Sequence, residues 1–182
     1  MDVEVDESPK PEETADRLAL RLADAKADIG VRSSAGQTPV LGADTVVSLD
    51  GRLYGKPFSK REAASMLAAL SGRSHEVHTA VCLATSGWTR SAISRSVVTF
   101  KSLSQREIDL YCSSGEPAGK AGAYAIQGLA AIFIENIQGS YSGIMGLPLF
   151  ETACLLNEAG IEVLNGNMKS DFTSDRARTL RP

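Results

Sequence analysis

The sequence holds only two histidines, His75 and His78, and three cysteines, Cys82, Cys112 and Cys154, with no C-x-x-C pair among them. That excludes a histidine-rich metal centre and argues against both a disulfide framework and a zinc site. Each cysteine is expected to act as a small apolar residue in a reducing compartment. No apolar run approaches the ~20 residues that span a bilayer. Met1 to Glu7 is acidic and lacks the basic and apolar regions of a signal peptide, so a cytoplasmic location is expected. The 19 basic and 22 acidic residues leave a net charge of −3, with no basic excess to neutralise a nucleic acid. Neither a G-x-x-x-x-G-K-[ST] loop nor a G-x-G-x-x-G fingerprint occurs, which removes the P-loop and Rossmann nucleotide sites. Ser140 and Ser142 lack a nucleophile-elbow context, which disfavours a serine hydrolase. The chemistry is left to carboxylates, lysines and backbone groups.

What is present is enough for one domain. The chain has 182 residues, 43% of them hydrophobic and 23% charged, which suits a single globular core. Glu12 to about Ile29 reads as a helix, with Ala15, Leu18, Ala19, Leu22 and Ile29 at helical spacing. Pro39 to Leu49 reads as a buried strand, and Tyr54 to Pro57 as loop. Ser59-x-x-Glu62 opens a second helix with Ala63, Met66, Leu67 and Leu70 inward and Gly72 at its end. His75–Ala84 and Ala92–Phe100 form an antiparallel hairpin, on which the two histidines point to opposite faces. Ser104-x-x-Glu107 opens a third helix, and Leu129 to Ile137 is read as a strand. A last helix starts with Pro148 in its first position and ends at Gly160, with Ile161–Leu164 a candidate further strand. The expectation is one α/β domain over residues 1–164, a mixed sheet flanked by helices, and a polar, disordered tail over 165–182.

Asp44 stands inside the apolar run Leu41–Val47, where an ionised carboxylate is costly without a partner. It either caps a turn or pairs with a lysine, or it serves as a general base or metal ligand at a cleft. Lys26 falls on the apolar stripe of the first helix, either snorkelling to solvent or held at the edge of a site. Lys56, between Gly55 and Pro57, is a turn lysine or a second cation of that site. Gly122, Gly128, Gly139, Gly143 and Gly146 either mark turns or let backbone N–H groups approach an anion.

Taken in order, these residues resemble one family. The chain carries Asp6-Glu7-Ser8-Pro9, Gly42-Ala43-Asp44-Thr45-Val46-Val47, Gly55-Lys56-Pro57, Leu70-Ser71-Gly72-Arg73, Lys120-Ala121-Gly122-Ala123-Tyr124-Ala125-Ile126-Gln127-Gly128 and Gly146-Leu147-Pro148-Leu149. This succession resembles the Maf nucleotide pyrophosphatases. The resemblance implies a fold related to inosine-triphosphate pyrophosphatases, with a deep cleft at a mixed sheet. It implies hydrolysis of a nucleoside triphosphate to monophosphate and pyrophosphate, with a divalent cation, Mg²⁺ or Mn²⁺. Asp44 would accept the proton of the attacking water, Glu7 would join Asp44 at the metal, and Lys26 and Lys56 would hold the phosphates. Tyr124–Gly128 is similar to the subgroup acting on dTTP and UTP, in which Thr45 and Gln127 would set base preference. A homodimer is implied by the resemblance alone. The family's Ser-x-Ser-Pro-Arg-Arg loop has no counterpart ahead of Asp6 in these residues, and the expectation is weaker triphosphate binding and a partly unpaired sheet. Two alternatives stay open: a weakly catalytic binding protein on the same fold, of the kind linked to septum formation, and a pyrophosphatase with another base preference.

Overall fold

The computed structural model describes residues 5–34 and 38–164. Helix α1 (Ala15–Ser33) starts where the Thr14 side chain accepts the Arg17 N–H, and it presents Ala19, Ala23 and Ala27 to the sheet. These methyl-sized residues recur every four positions, so they form one flat stripe. The stripe lets α1 lie directly on strand β1 (Val40–Leu49). At Gly42 the approach is so close that a Cβ would stand 2.4 Å from the Ala23 carbonyl oxygen and 2.7 Å from the Ala27 nitrogen.

After β1 come β2 (Arg52–Tyr54), α2 (Lys60–Leu70), β3 (Ser74–Ala84), β4 (Thr89–Phe100) and α3 (Gln105–Ser113). Strand β5 (Ile134–Gln138), the short α4 (Tyr141–Ile144) and α5 (Leu149–Glu158) follow. The five strands lie in the order β2-β1-β3-β4-β5, and every described ladder is antiparallel. The expected α/β domain, a sheet flanked by helices, is therefore present, but among the described residues the sheet is antiparallel throughout rather than mixed, because each strand follows its neighbour through a turn or a returning connection that reverses direction. Strand β2 pairs only with Val47–Leu49, so the outer edge of β1 from Val40 to Val46 has no strand partner among the described residues.

Strand alternation divides the core. Val46, Ala80, Cys82 and Ala84 face α1. Val47, Val77, Val98 and Phe100 face the other way, against α2, α3 and the turns that follow. Farther along that second face, Val81 and Leu83 pack on Leu155 of α5. The two clusters leave a gap over Thr45 and Thr79, which pair in register. His75 is buried on the second face, edge-on to Phe100 and Tyr124, while His78 faces α1 and contacts Asp16. The opposite orientations expected of them are observed.

Several local expectations need correction. The first helix starts at Ala15 rather than Glu12 because Glu12 takes a left-handed φ of 58°. At α2, Ser59 accepts the Glu62 N–H, but the Glu62 carboxylate reaches Phe58 N instead of closing the box. The box at Ser104–Glu107 is complete. Leu129–Phe133 is a 3-10 turn, not strand, because the Glu116 carboxylate accepts the Leu129 and Ala130 N–H groups. Pro148 is the cap of α5 rather than its first residue. Ile161–Leu164 forms no strand, and Cys154 is exposed, unlike buried Cys82 and Cys112. The tail at 165–182 lies outside the described residues. Among those residues, no helix is long and apolar enough to cross a membrane.

Candidate active site

A cleft of about 250 Å³ opens at the unpaired edge of β1. Because the edge is open there, residues from both faces of β1 reach it: Ala43 and Thr45 from one, Asp44 from the other. Lys26 descends from α1, Lys56 from the turn after β2, and Gln127 from the loop after the 3-10 turn at Ala121–Ala123. Thus Lys26, Asp44, Thr45, Lys56 and Gln127 all line one space. Glu7 completes the group through its contacts with both lysines.

The charges form a chain. Lys26 Nζ lies 2.5 Å from Asp44 Oδ1 and 3.3 Å from Glu7 Oε1. Lys56 Nζ reaches both Glu7 oxygens, at 2.8 and 2.9 Å. Burial raises the Asp44 pKa above the usual carboxylate value, and the Lys26 contact offsets only part of that. For Lys26, burial acts downward, yet the hydrogen bond and charge of Asp44, joined by Glu7, carry its pKa upward. Burial also raises Glu7, but Lys56 and Lys26 together bring it below the usual range. Asp44 is therefore the harder of the two carboxylates to ionise, and the nearer to a general base in character.

Local structure explains each placement. Asp6 accepts the Ser8 N–H at 3.0 Å, turning the chain at Glu7. Arg21, on the helix that carries Lys26, donates to the Ser8 carbonyl at 3.0 Å and to both Glu13 oxygens. The acidic segment is thereby strapped to α1. The Gly122 N–H donates to the Gly55 carbonyl at 3.1 Å, tying the loop of Lys120 to that of Lys56. Gly122 is held at φ 67°, and a Cβ there would press on Val47 at 3.1 Å, so both conformation and space call for glycine. Glu116 accepts from Tyr111 Oη at 2.9 Å as well as from Leu129 and Ala130, which positions the turn that carries Gln127.

Lys120 and Arg21 were not singled out by the sequence. Lys120 lines the cleft as its third lysine, and it lies next to the left-handed glycine turn. Arg21 is one of several arginines on a helix, and only the fold brings it to Ser8. The glycine N–H groups offer little to an anion, since those of Gly122, Gly128, Gly143 and Gly146 are all spent within turns and loops.

Residues 1–159 match the family described as Maf-like protein. The chain belongs to the Maf family. Similar curated relatives include a dTTP/UTP pyrophosphatase of Nitrosomonas europaea, 52% identical over 164 residues, covering 88% of this chain and 79% of the relative. Another, of the same description from Cupriavidus metallidurans, is also 52% identical, over 88% of this chain and 82% of the relative. A third, from Aromatoleum aromaticum, is 52% identical over 87% of this chain and 79% of its own length. Within this Maf chain, the motif residues Glu7, Asp44, Lys56 and Gln127, drawn from distant stretches of sequence, meet at one cleft.

The residues present fit a divalent cation in one specific manner. Glu7 and Asp44 aim hard oxygen donors at a shared cation position that Lys26 Nζ now takes. Among the described residues no group of three or more acidic, histidine or cysteine side chains could hold a metal alone. Magnesium is commonly held by one or two carboxylates with substrate phosphates completing the shell, and Glu7 and Asp44 are carboxylates of that kind.

Proposed function

We propose that this protein hydrolyses dTTP and UTP to the nucleoside monophosphate and pyrophosphate. The observation that carries the reading is Asp44: a largely buried carboxylate, its side chain 9% exposed, with raised proton affinity and opening into a cleft that three lysines line. In the proposed reaction a water oxygen bonds to the α-phosphorus while the bond from that phosphorus to the bridging oxygen breaks. The water proton passes to Asp44 Oδ2, since Oδ1 is engaged by Lys26. Pyrophosphate leaves with the bridging oxygen, and Asp44 later returns its proton to solvent. Lys26, Lys56 and Lys120 offset the triphosphate charge, which is most of what phosphoryl transfer asks of a protein. A divalent cation bound by Glu7 and Asp44 would neutralise phosphate charge and favour ionisation of the water. Thr45 and Gln127 would face the base.

Support comes from family membership and from relatives about half identical in sequence whose names state this activity. The proposal extends to a cytoplasmic homodimer with no nucleic-acid or membrane partner, on the charge balance and the family resemblance. The test is pyrophosphate release from dTTP, UTP and a panel of other triphosphates with Mg²⁺ or Mn²⁺. Preference for dTTP and UTP supports the reading, and release from none of them, or equal release from all, contradicts it.

A further inference from the structure

Thr79 lies buried on β3, directly across the ladder from Thr45, which lines the cleft. It is 1% exposed, and its hydroxyl has two neighbours: the Gly143 carbonyl oxygen at 2.7 Å and Thr45 Oγ1 at 3.0 Å. A carbonyl oxygen can only accept, so the single Thr79 proton is committed to Gly143. The contact between the two threonines then admits one polarity, with Thr45 donating and Thr79 accepting. Thr45 thus turns its only proton into the sheet and shows the cleft lone pairs alone. Gly143 cannot easily withdraw its carbonyl. Its N–H donates to Ser140 Oγ at 3.0 Å, the Ser140 N–H donates to Ser96 Oγ at 3.0 Å, and Ser142 Oγ receives the Leu149 N–H at 3.1 Å.

We infer that Thr79 is a positioning residue that makes Thr45 an obligate hydrogen-bond acceptor, so that the cleft selects a base presenting a ring N–H over one presenting a bare ring nitrogen. The inference rests on the reading that Thr45 faces the base. Uracil and thymine carry a proton on the ring nitrogen between their two carbonyls, and cytosine carries a lone pair there. Lone pairs on Thr45 satisfy the first and leave the second unpaired, a mismatch that buried sites reject strongly. Gln127 cannot make this distinction unaided, because its amide offers both a donor and an acceptor. A free hydroxyl at Thr45 would be equally ambiguous, and Thr79 removes the ambiguity.

The experiment compares binding of UMP and CMP by calorimetric titration, alongside pyrophosphate release from UTP and CTP, for the parent, Thr79→Val and Thr79→Ser. Valine keeps the shape of threonine, and the Gly143 carbonyl retains the Gly146 N–H at 2.9 Å, so no buried acceptor is orphaned. Thr79→Val should lower the UMP-over-CMP preference at least about fivefold, chiefly by better binding of CMP, while Thr79→Ser keeps it. An unchanged ratio, equal losses on both nucleotides, or a parent without preference would overturn the inference. Should Thr79→Val not fold, Thr45→Val probes the same contact from the cleft side. There the preference should collapse through loss of UMP binding, and its persistence would overturn the inference equally. If the preference behaves as stated but UTP releases no pyrophosphate, the hydrolytic reading fails and this inference stands.

Discussion

The Lys26 ammonium stands 2.5 Å from the Asp44 carboxylate, and the two residues reach each other from a helix and a strand packed face to face. Their contact makes Asp44 easier to ionise than burial alone would allow. A general base must be deprotonated to act, so activity should fall as pH drops through the raised Asp44 pKa, above the ordinary aspartate value of 3.8. Lys26→Met removes the influence that lowers this pKa, and the acidic limb of the kcat profile should move to higher pH. A limb that stays in place or moves down would separate Asp44 from that limb.

The same contact depends on Gly42. An alanine there would meet the backbone of α1 at Ala23 and Ala27. Overpacking of this kind costs about 1–3 kcal/mol, so Gly42→Ala should lower the Tm by several degrees. It should also reduce kcat, because α1 carries Lys26 away from Asp44 as it shifts. A variant with parent-like melting and turnover would show that the helix accommodates the methyl group elsewhere.

How much of this was legible in one dimension follows from which residues break a pattern. Lys26 on an apolar stripe and Asp44 in an apolar run stand out because each is costly where it sits. The hairpin, the helices and the opposed histidines follow from periods of 2 and 3.6. What local pattern did not disclose depends on contacts between distant residues. Leu129–Phe133 has the apolar look of a strand, but a carboxylate thirteen residues earlier, Glu116, takes its first N–H groups and winds it into a turn. The role of Arg21 likewise exists only once Ser8 and Glu13 are folded onto α1.

Glu116 gives a third prediction. It accepts from Tyr111 and from two backbone N–H groups, and those bonds more than offset the upward effect of burial on its pKa. Glu116→Ala leaves those donors without their partner, at about 1–3 kcal/mol in total. It also frees the turn that carries Gln127. Thermal stability should fall and KM for dTTP should rise, with kcat less affected. A loss confined to kcat would place Glu116 in the chemistry rather than in support of the turn.

His75 sets a pH dependence of stability. Burial lowers its pKa from 6.5 to about 4, and its Nδ1 has no hydrogen-bond partner among the described residues. Between those values the unfolded chain binds a proton at this site that the folded chain refuses, so stability rises with pH across the window. It is lost as pH falls from 6.5 toward 4, by up to about 3 kcal/mol from this group. His75→Phe should flatten the slope in that window, even though Tyr124 Oη loses its partner at 2.9 Å. Urea unfolding of both proteins between pH 4 and 7 measures the slopes, and identical slopes would assign the titration to another group.

The central claim is that Asp44 takes a proton from water during release of pyrophosphate from dTTP and UTP. The most direct measurement is pyrophosphate release from dTTP by the parent and by Asp44→Asn, with dTTP binding measured on both. Asparagine keeps the shape of the side chain but cannot accept the proton. The expected result is a fall in kcat of ~100-fold or more, with nucleotide still bound. Asp44→Asn turning over dTTP at a rate close to the parent would contradict the account.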